Sequence, residues 1–290
     1  MKNKKDTIIP FKIICSVRSH SHRLNNEAFS LLMSGGTNIF VSEVKEKSFL
    51  LSCVNETTVC KTAERFALIA HVCFSTFIMA LNIATLGHFT WNWSTFTPPL
   101  YKFIDPQHED NTTIVSLQIL KKKENNIRDI TKNEIRNASL LYGALAKEKE
   151  SNVRKEYIKG ILHLSLDFFD INFHREAFGN FYRSFEYFAT GRVLKVRRLS
   201  NELKELQEVI TDFGFGNQIA EEFRSLYQLR SSQIMHAQKK QVEVKIDDVL
   251  KMKTILDGIL YKVYQPVWGK GINDLRVENL HQSPPNSFRP

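Results

Sequence analysis

The helix expected over Gln218–Met235 carries an arginine on the face that should be buried. Phe223, Leu226, Tyr227 and Ile234 recur at the i, i+3, i+4 spacing of a single apolar stripe. Arg230 follows Phe223 by seven residues and Tyr227 by three, so it projects from that same stripe. A guanidinium is charged at every accessible pH, and a core stripe holds one only if an anionic partner meets it or the stripe opens onto a wet cleft. His236 comes six residues later, roughly 240° further round an ideal helix. One straight helix therefore cannot aim both groups at one atom. Either the helix breaks near Met235 or a second subunit supplies one of the two, and both solutions put a site at a junction.

The chain of 290 residues has room for one large domain or two smaller ones. Its 21 phenylalanines point to helices packed by large side chains. The formal charge of +9 and pI near 9.3 suit an anionic partner such as RNA, although the excess is spread along the chain and suits a solvated surface equally well. Cys15, Cys53, Cys60 and Cys73 lack CxxC spacing and read as reduced thiols of a reducing compartment. The opening Met1-Lys-Asn-Lys-Lys-Asp6 has no apolar region or cleavage signal behind it, so a cytoplasmic location is expected. Phe66–Leu86 has no formal charge and is long enough to cross a bilayer. His71, Ser75, Thr76 and Asn82 interrupt it, and Lys61, Glu64 and Arg65 precede it. A buried helix is the expectation. A membrane span or an interfacial helix is the alternative, and would make the protein a membrane-tethered effector.

The first half reads as mixed α and β. Strands are expected at Thr7–Val17, Thr37–Val44, Ser48–Val54, His88–Phe96 and Thr113–Leu120. Ser34-Gly-Gly-Thr37 is a turn, and a helix over Thr58–Leu86 should stop at Gly87. The charged stretch Lys121–Asp129 marks a linker, giving an α+β domain over 1–120. An all-α bundle is expected over 130–265 and a loop or tail over 266–290. Its helices are expected at Asn133–Ala146, Val153–Asp170, His174–Val193, Leu203–Ile210, Gln218–Met235 and Val249–Val263. The clearest is His174–Val193, whose Phe178, Phe181, Tyr182, Phe185, Phe188 and Ala189 make one continuous face.

Taken chemically, Arg230 and His236 offer a fixed cation and a group that titrates near neutral pH. Together they suit phosphodiester cleavage without a metal: the imidazole exchanges a proton with a ribose 2′-hydroxyl or a leaving 5′-oxygen, and the guanidinium holds the phosphate. The plain alternative is a structural arginine paired with a carboxylate and a histidine at a helix end. The run Leu226-Tyr-Gln-Leu-Arg-Ser-Ser-Gln-Ile-Met-His236 and the upstream Phe181-Tyr-Arg-Ser-Phe-Glu-Tyr-Phe188 resemble the ApeA-like branch of the HEPN superfamily, whose members carry an R-x4–6-H motif in a compact helical bundle. The resemblance covers roughly Asp129–Val263, under half the chain. It implies a HEPN-like bundle and a metal-independent endoribonuclease that needs no cofactor and acts as a homodimer, with two copies of the motif meeting in one cleft. It also implies a setting in bacterial toxin–antitoxin or antiviral defence, with an antitoxin or a phage-derived trigger as partner and no DNA specificity. Relatives that have lost catalysis serve as RNA- or protein-binding modules, which is the rival reading. Ser231 stands where the family often has Asn, Asp or His.

Glu186 lies about 100° from the centre of the Phe178–Ala189 stripe. It could orient Arg230 or His236, or simply pair with Arg183 at i, i+3. Arg192, Lys195, Arg197 and Arg198 form the densest basic cluster, suited to an RNA backbone or to a solvated helix end. His20 and His22 have the i, i+2 spacing of one strand face but no Cys or carboxylate partner at metal-ligand spacing, so no metal is expected. Trp91 and Trp93 are expected to pack on the N-terminal core.

Overall fold

The structure is a computed structural model that describes residues 11–33, 39–55, 63–92, 101–104, 112–115, 127–147, 151–166, 172–233 and 243–269. An antiparallel sheet region with an apolar helix comes first and a run of helices follows, as an α+β domain followed by a helical one. The chain divides into two compact units. The first takes its described residues from 1–89, 126–150 and 264–290, and the second from 90–125 and 151–263.

In the first unit, β1 (Phe11–Ser19) pairs antiparallel with β4 (Ser48–Asn55), from Phe11 opposite Asn55 to Arg18 opposite Ser48. β3 (Ile39–Lys45) covers the other edge of β4, and β5 (Phe89–Trp91) completes the order β3-β4-β1-β5. A register shift between Ser42 and Lys45 coincides with a positive φ at Glu43, the mark of a bulge. Two residues of β2 (His22–Arg23) run parallel to β8 (Arg128–Asp129). A short α1 (Ser30–Met33) packs near β3. The strand β6 (Tyr101–Ile104), which the sequence did not announce, pairs with β7 (Thr112–Val115).

The apolar helix α2 (Ala63–Thr85) is the core of this unit: 72% of its most apolar window is buried. Among the described residues it is the one helix long and apolar enough to cross a membrane. Its polar residues are built into the fold. The Asn82 side chain, fully buried, donates to the carbonyls of Ile78 and Phe89 at 2.8 and 2.9 Å and accepts from the Phe89 amide at 2.9 Å. That closes the turn into β5. The helix ends in a Schellman arrangement: the Gly87 amide donates to Asn82 O at 3.0 Å and the Leu86 amide to Ile83 O at 3.2 Å. The left-handed residue is Leu86 (φ 48°), one position before the expected stop. Gly87 is required for a different reason, since a Cβ there would lie 2.5 Å from Thr85 Oγ1 and 2.9 Å from the His22 ring.

The helix α3 (Lys132–Lys147) belongs to this first unit, which corrects the expected domain boundary: the linker at 121–129 does not open the bundle. Ile135, Ala138, Leu141, Tyr142 and Leu145 form its buried face, and α3 packs on α2. Its start is a capping box, with the Thr131 amide donating to Glu134 Oε2 at 2.9 Å and the Glu134 amide to Thr131 Oγ1 at 3.3 Å. Arg128 joins that carboxylate to the C-terminus of α2, donating to Glu134 and to Thr85 O. The 3-10 turn Gln265–Gly269, expected as loop, also packs on α3.

The second unit is helical apart from β6, β7 and the last two residues of β5. Its helices are α4 (Asn152–Ser165), α5 (His174–Phe188), α6 (Glu202–Asp212), α7 (Asn217–Gln233) and α8 (Ile246–Tyr264). The aromatic stripe of α5 is fully used. Tyr157 of α4 meets Phe181 edge-on at 5.5 Å, while Phe223 of α7 stacks on Tyr182 at 5.9 Å and meets Phe185 edge-on at 5.4 Å. Gly160 lets α4 and α5 approach, because a Cβ there would sit 2.7 Å from the Phe181 ring. Beneath them Lys253 and Tyr157 both bind the buried Asp257, at 2.5 and 2.6 Å. The helix expected over His174–Val193 changes pitch after Phe188. Ala189–Leu194 is a π-helical segment, and Lys195 (φ 54°) closes it in the left-handed conformation.

Candidate functional site

Arg230 stands in the last turn of α7, at the end of the stripe formed by Ala220, Phe223 and Leu226, which are buried. Its side chain is 17% exposed. Two carboxylates and one ring surround it. Both oxygens of Glu202, the first residue of α6, lie 3.1 Å from Nη1. Glu186 of α5 lies 3.8 Å from Nη2. The guanidinium carbon sits 5.0 Å from the centre of the Tyr182 ring, and the Tyr182 hydroxyl donates to Glu202 Oε1 at 3.0 Å. Four side chains from three helices thus form one closed polar group at the margin of an aromatic core.

The reason is local in each helix. Tyr182 and Glu186 are four residues apart and share one face of α5. Asn201 caps α6, accepting from the Lys204 amide, so Glu202 falls in the first turn, where the helix dipole favours a carboxylate. Burial, then the neighbouring Glu202 charge, pushes the Glu186 carboxyl above the ordinary range, against the pull of Arg230 and Arg183. Burial and then Glu202 likewise keep the Tyr182 hydroxyl protonated. Two acids share one cation here, and Glu186 bears the cost.

Of the expected site residues, Arg230 and Glu186 come together. Arg183 does not pair with Glu186 as the plain reading supposed: it turns to Glu156 of α4 at 2.9 Å and to Asn180. Ser231 follows Arg230 on α7 and is half-buried. His236 and Met235 lie outside the described residues. Arg192, on the π-helical segment, and Lys195, Arg197 and Arg198, just after it, are all exposed. Glu202 and the ring of Tyr182 as a seat for the guanidinium were not foreseen. An asparagine cap followed by glutamate was a signal for the start of α6, but nothing in it pointed 28 positions ahead to Arg230.

In the first unit, His20 and His22 do not share a strand face, because β1 ends at Ser19. His20 lies against His88, ring centres 4.6 Å apart. His22 stacks on Phe89 at 5.5 Å and meets Ser21 Oγ through Nδ1 at 2.8 Å. Among the described residues no group of three or more His, Cys, Asp or Glu side chains could hold a metal ion. Trp91 is buried, and Trp93 lies outside the described residues. Cys15, Cys53 and Cys73 are not in disulfides, Cys15 is pushed up to about 12 by burial, and Cys60 lies outside the described residues. No protein-family model, curated protein or solved structure matches the chain.

Proposed function

We propose that this protein is a metal-independent endoribonuclease of HEPN type, working in the bacterial cytoplasm in defence or as a toxin. The observation that carries the reading is Arg230 itself. A guanidinium fixed at the margin of an aromatic core by Glu202, Glu186 and Tyr182 is already oriented, so phosphate binding incurs little ordering cost. In the proposed reaction the ribose 2′-oxygen bonds to phosphorus and the bond from phosphorus to the 5′-oxygen breaks. His236 takes the 2′-hydroxyl proton, and solvent water gives one to the leaving 5′-oxygen. A second copy brings its own motif to the same cleft, so that the arginine and histidine of two protomers meet there. Arg192, Lys195, Arg197 and Arg198 hold the flanking RNA. The first unit answers to a trigger or partner.

One observation favours a second reading, a catalytically silent HEPN module that binds RNA or protein. Glu202 faces Nη1 with both oxygens, so a phosphate must share or displace it. The two readings separate in one experiment. Purified full-length protein is incubated with RNA in the presence of a chelator, alongside His236→Ala. Cleavage by the wild type and none by the variant supports the nuclease. RNA binding without cleavage by the wild type supports the module, and equal cutting by His236→Ala defeats the nuclease.

A further inference from the structure

Glu186 and Glu202, the two acids that grip Arg230, stand at the two ends of one segment. Between them the chain leaves α5, runs through the π-helical segment and returns to α6. From Ala189 to Asn201 it contains no carboxylate and four cations: Arg192, Lys195, Arg197 and Arg198. Arg230 is therefore a clasp across the base of a cationic loop. Further bonds hold the loop: the amides of Lys195 and Val196 both donate to Thr190 O, and Glu205 of α6 accepts from the amides of Ser200 and Asn201.

Three of the four cations on this loop stand without a counter-ion among the described residues, unlike the nearest surface charge. Lys204 and Arg224 on neighbouring helices pair with Glu208 and Glu221 at 3.7 and 3.3 Å. Among the described residues, Lys195, Arg197 and Arg198 enter no ion pair and are exposed. Concentrating like charges on an ordered turn costs stability, and so does a left-handed lysine, by about 1 kcal/mol. π-helical turns recur at functional sites because they are otherwise disfavoured. Three of the four cations are arginines, whose planar forks match phosphate oxygens. A loop ordered in advance binds such a chain without first paying to order itself.

We infer that residues 189–201 form a clasped cationic loop that takes the phosphate backbone of single-stranded RNA, and that Arg230, through Glu186 and Glu202, is its positioning residue. The inference rests on the RNA reading above, but not on cleavage.

The test uses full-length His236→Ala protein, labelled oligouridylate and binding measured across salt. Replacing Lys195, Arg197 and Arg198 together by Gln should lower the salt slope by roughly 2, at about 0.7 per lost phosphate contact. These side chains are exposed and repel one another, so melting should be unchanged or slightly raised. Glu202→Gln is the decisive variant, because it raises the net charge by one. A surface acting by bulk charge would then bind RNA more tightly. A clasped loop should bind roughly fivefold more weakly, with faster amide exchange over 189–201. Arg230→Met should show the same faster exchange and a loss beyond a single contact.

An unchanged salt slope in the triple variant, or tighter binding by Glu202→Gln, overturns the inference. So does loop-dependent binding to anionic phospholipid vesicles with none to oligouridylate. Wild-type protein that binds RNA through the loop and never cuts it retires the nuclease reading and leaves this one standing.

Discussion

Glu202 presents both carboxylate oxygens to Nη1 of Arg230, each at 3.1 Å, and its Oε1 also accepts from the Tyr182 hydroxyl. The pair ties the start of α6 to the end of α7 and seats the guanidinium on an aromatic ring. Its energetic weight is intermediate, because the side chains are 17% and 23% exposed. Removing one member of a fully buried pair costs several kcal/mol and of an exposed pair almost nothing.

Arg230→Ala should therefore destabilise the protein by about 1–3 kcal/mol at pH 7. The cause is less the lost bond than the two carboxylates left facing each other. Glu186 already has its carboxyl raised by burial and by Glu202, and loss of Arg230 raises it further. A group whose folded pKa exceeds its unfolded value favours the folded state as pH falls. The deficit of Arg230→Ala should accordingly shrink between neutral pH and pH 5, which denaturant titrations at the two pH values would measure. A deficit that does not change with pH would place Glu186 out of reach of Arg230.

Residue pattern made much of this architecture legible. The stripe Phe178, Phe181, Tyr182, Phe185 and Phe188 repeats with the helix period, and all of it is buried in α5. Periodicity shows that a face is buried but not against what. The helical period over Asn133–Ala146 thus marks α3 but not its packing on α2, which lies some 50 residues earlier in the chain. Glu202 escaped for the same reason: an ion pair across 28 positions leaves no local trace. The six-residue π-helical segment is too short to display its own period, so the α5 pattern alone extends to Val193.

His20 and His22 should make the first unit acid-sensitive. Burial holds both down, to about 3 for His20, with Arg18 and Lys47 adding to the effect, and to about 4 for His22, where Arg128 outweighs Glu134. Both are neutral in the fold and protonate near pH 6.5 when unfolded, so their stabilisation is present above pH 6.5. It is lost as pH falls from there through 4 and then 3. Each should cost on the order of 2 kcal/mol by pH 5. Melting temperature followed from pH 7 to 4.5 should fall, and His22→Gln should flatten the fall even if it lowers stability at neutral pH. A flat profile in the wild type would refute the buried placement.

The end of α2 offers two changes of opposite sign. Leu86→Gly relieves a left-handed leucine whose side chain is about half exposed, and should raise stability by about 1 kcal/mol. Asn82→Ala removes three hydrogen bonds and strands the Phe89 amide and carbonyl in the core, a loss of roughly 2–4 kcal/mol. Thermal melts of the two variants should bracket the wild type. If α2 instead lay in a bilayer, the protein would stay with the membrane fraction after a carbonate wash, and neither shift would follow.

Arg230→Lys is the most demanding test of the proposed chemistry. An ammonium keeps the charge, so it can still answer Glu202 and Glu186, and the variant should melt within about 1 kcal/mol of the wild type. It cannot keep the planar fork that spans two phosphate oxygens, so cleavage should fall at least about a hundredfold, the scale set by losing one charge-stabilising donor. His236→Gln should be as inactive as His236→Ala, because an amide hydrogen-bonds without titrating. The products of the wild type should end in a 2′,3′-cyclic phosphate, as attack by the neighbouring 2′-hydroxyl demands, and should form undiminished in chelator. Arg230→Lys that folds and cuts at the wild-type rate would leave Arg230 as a structural cation only. Products ending in a 3′-hydroxyl would instead mean that water, not the ribose, attacks the phosphorus, and the role assigned to His236 would fall with the mechanism.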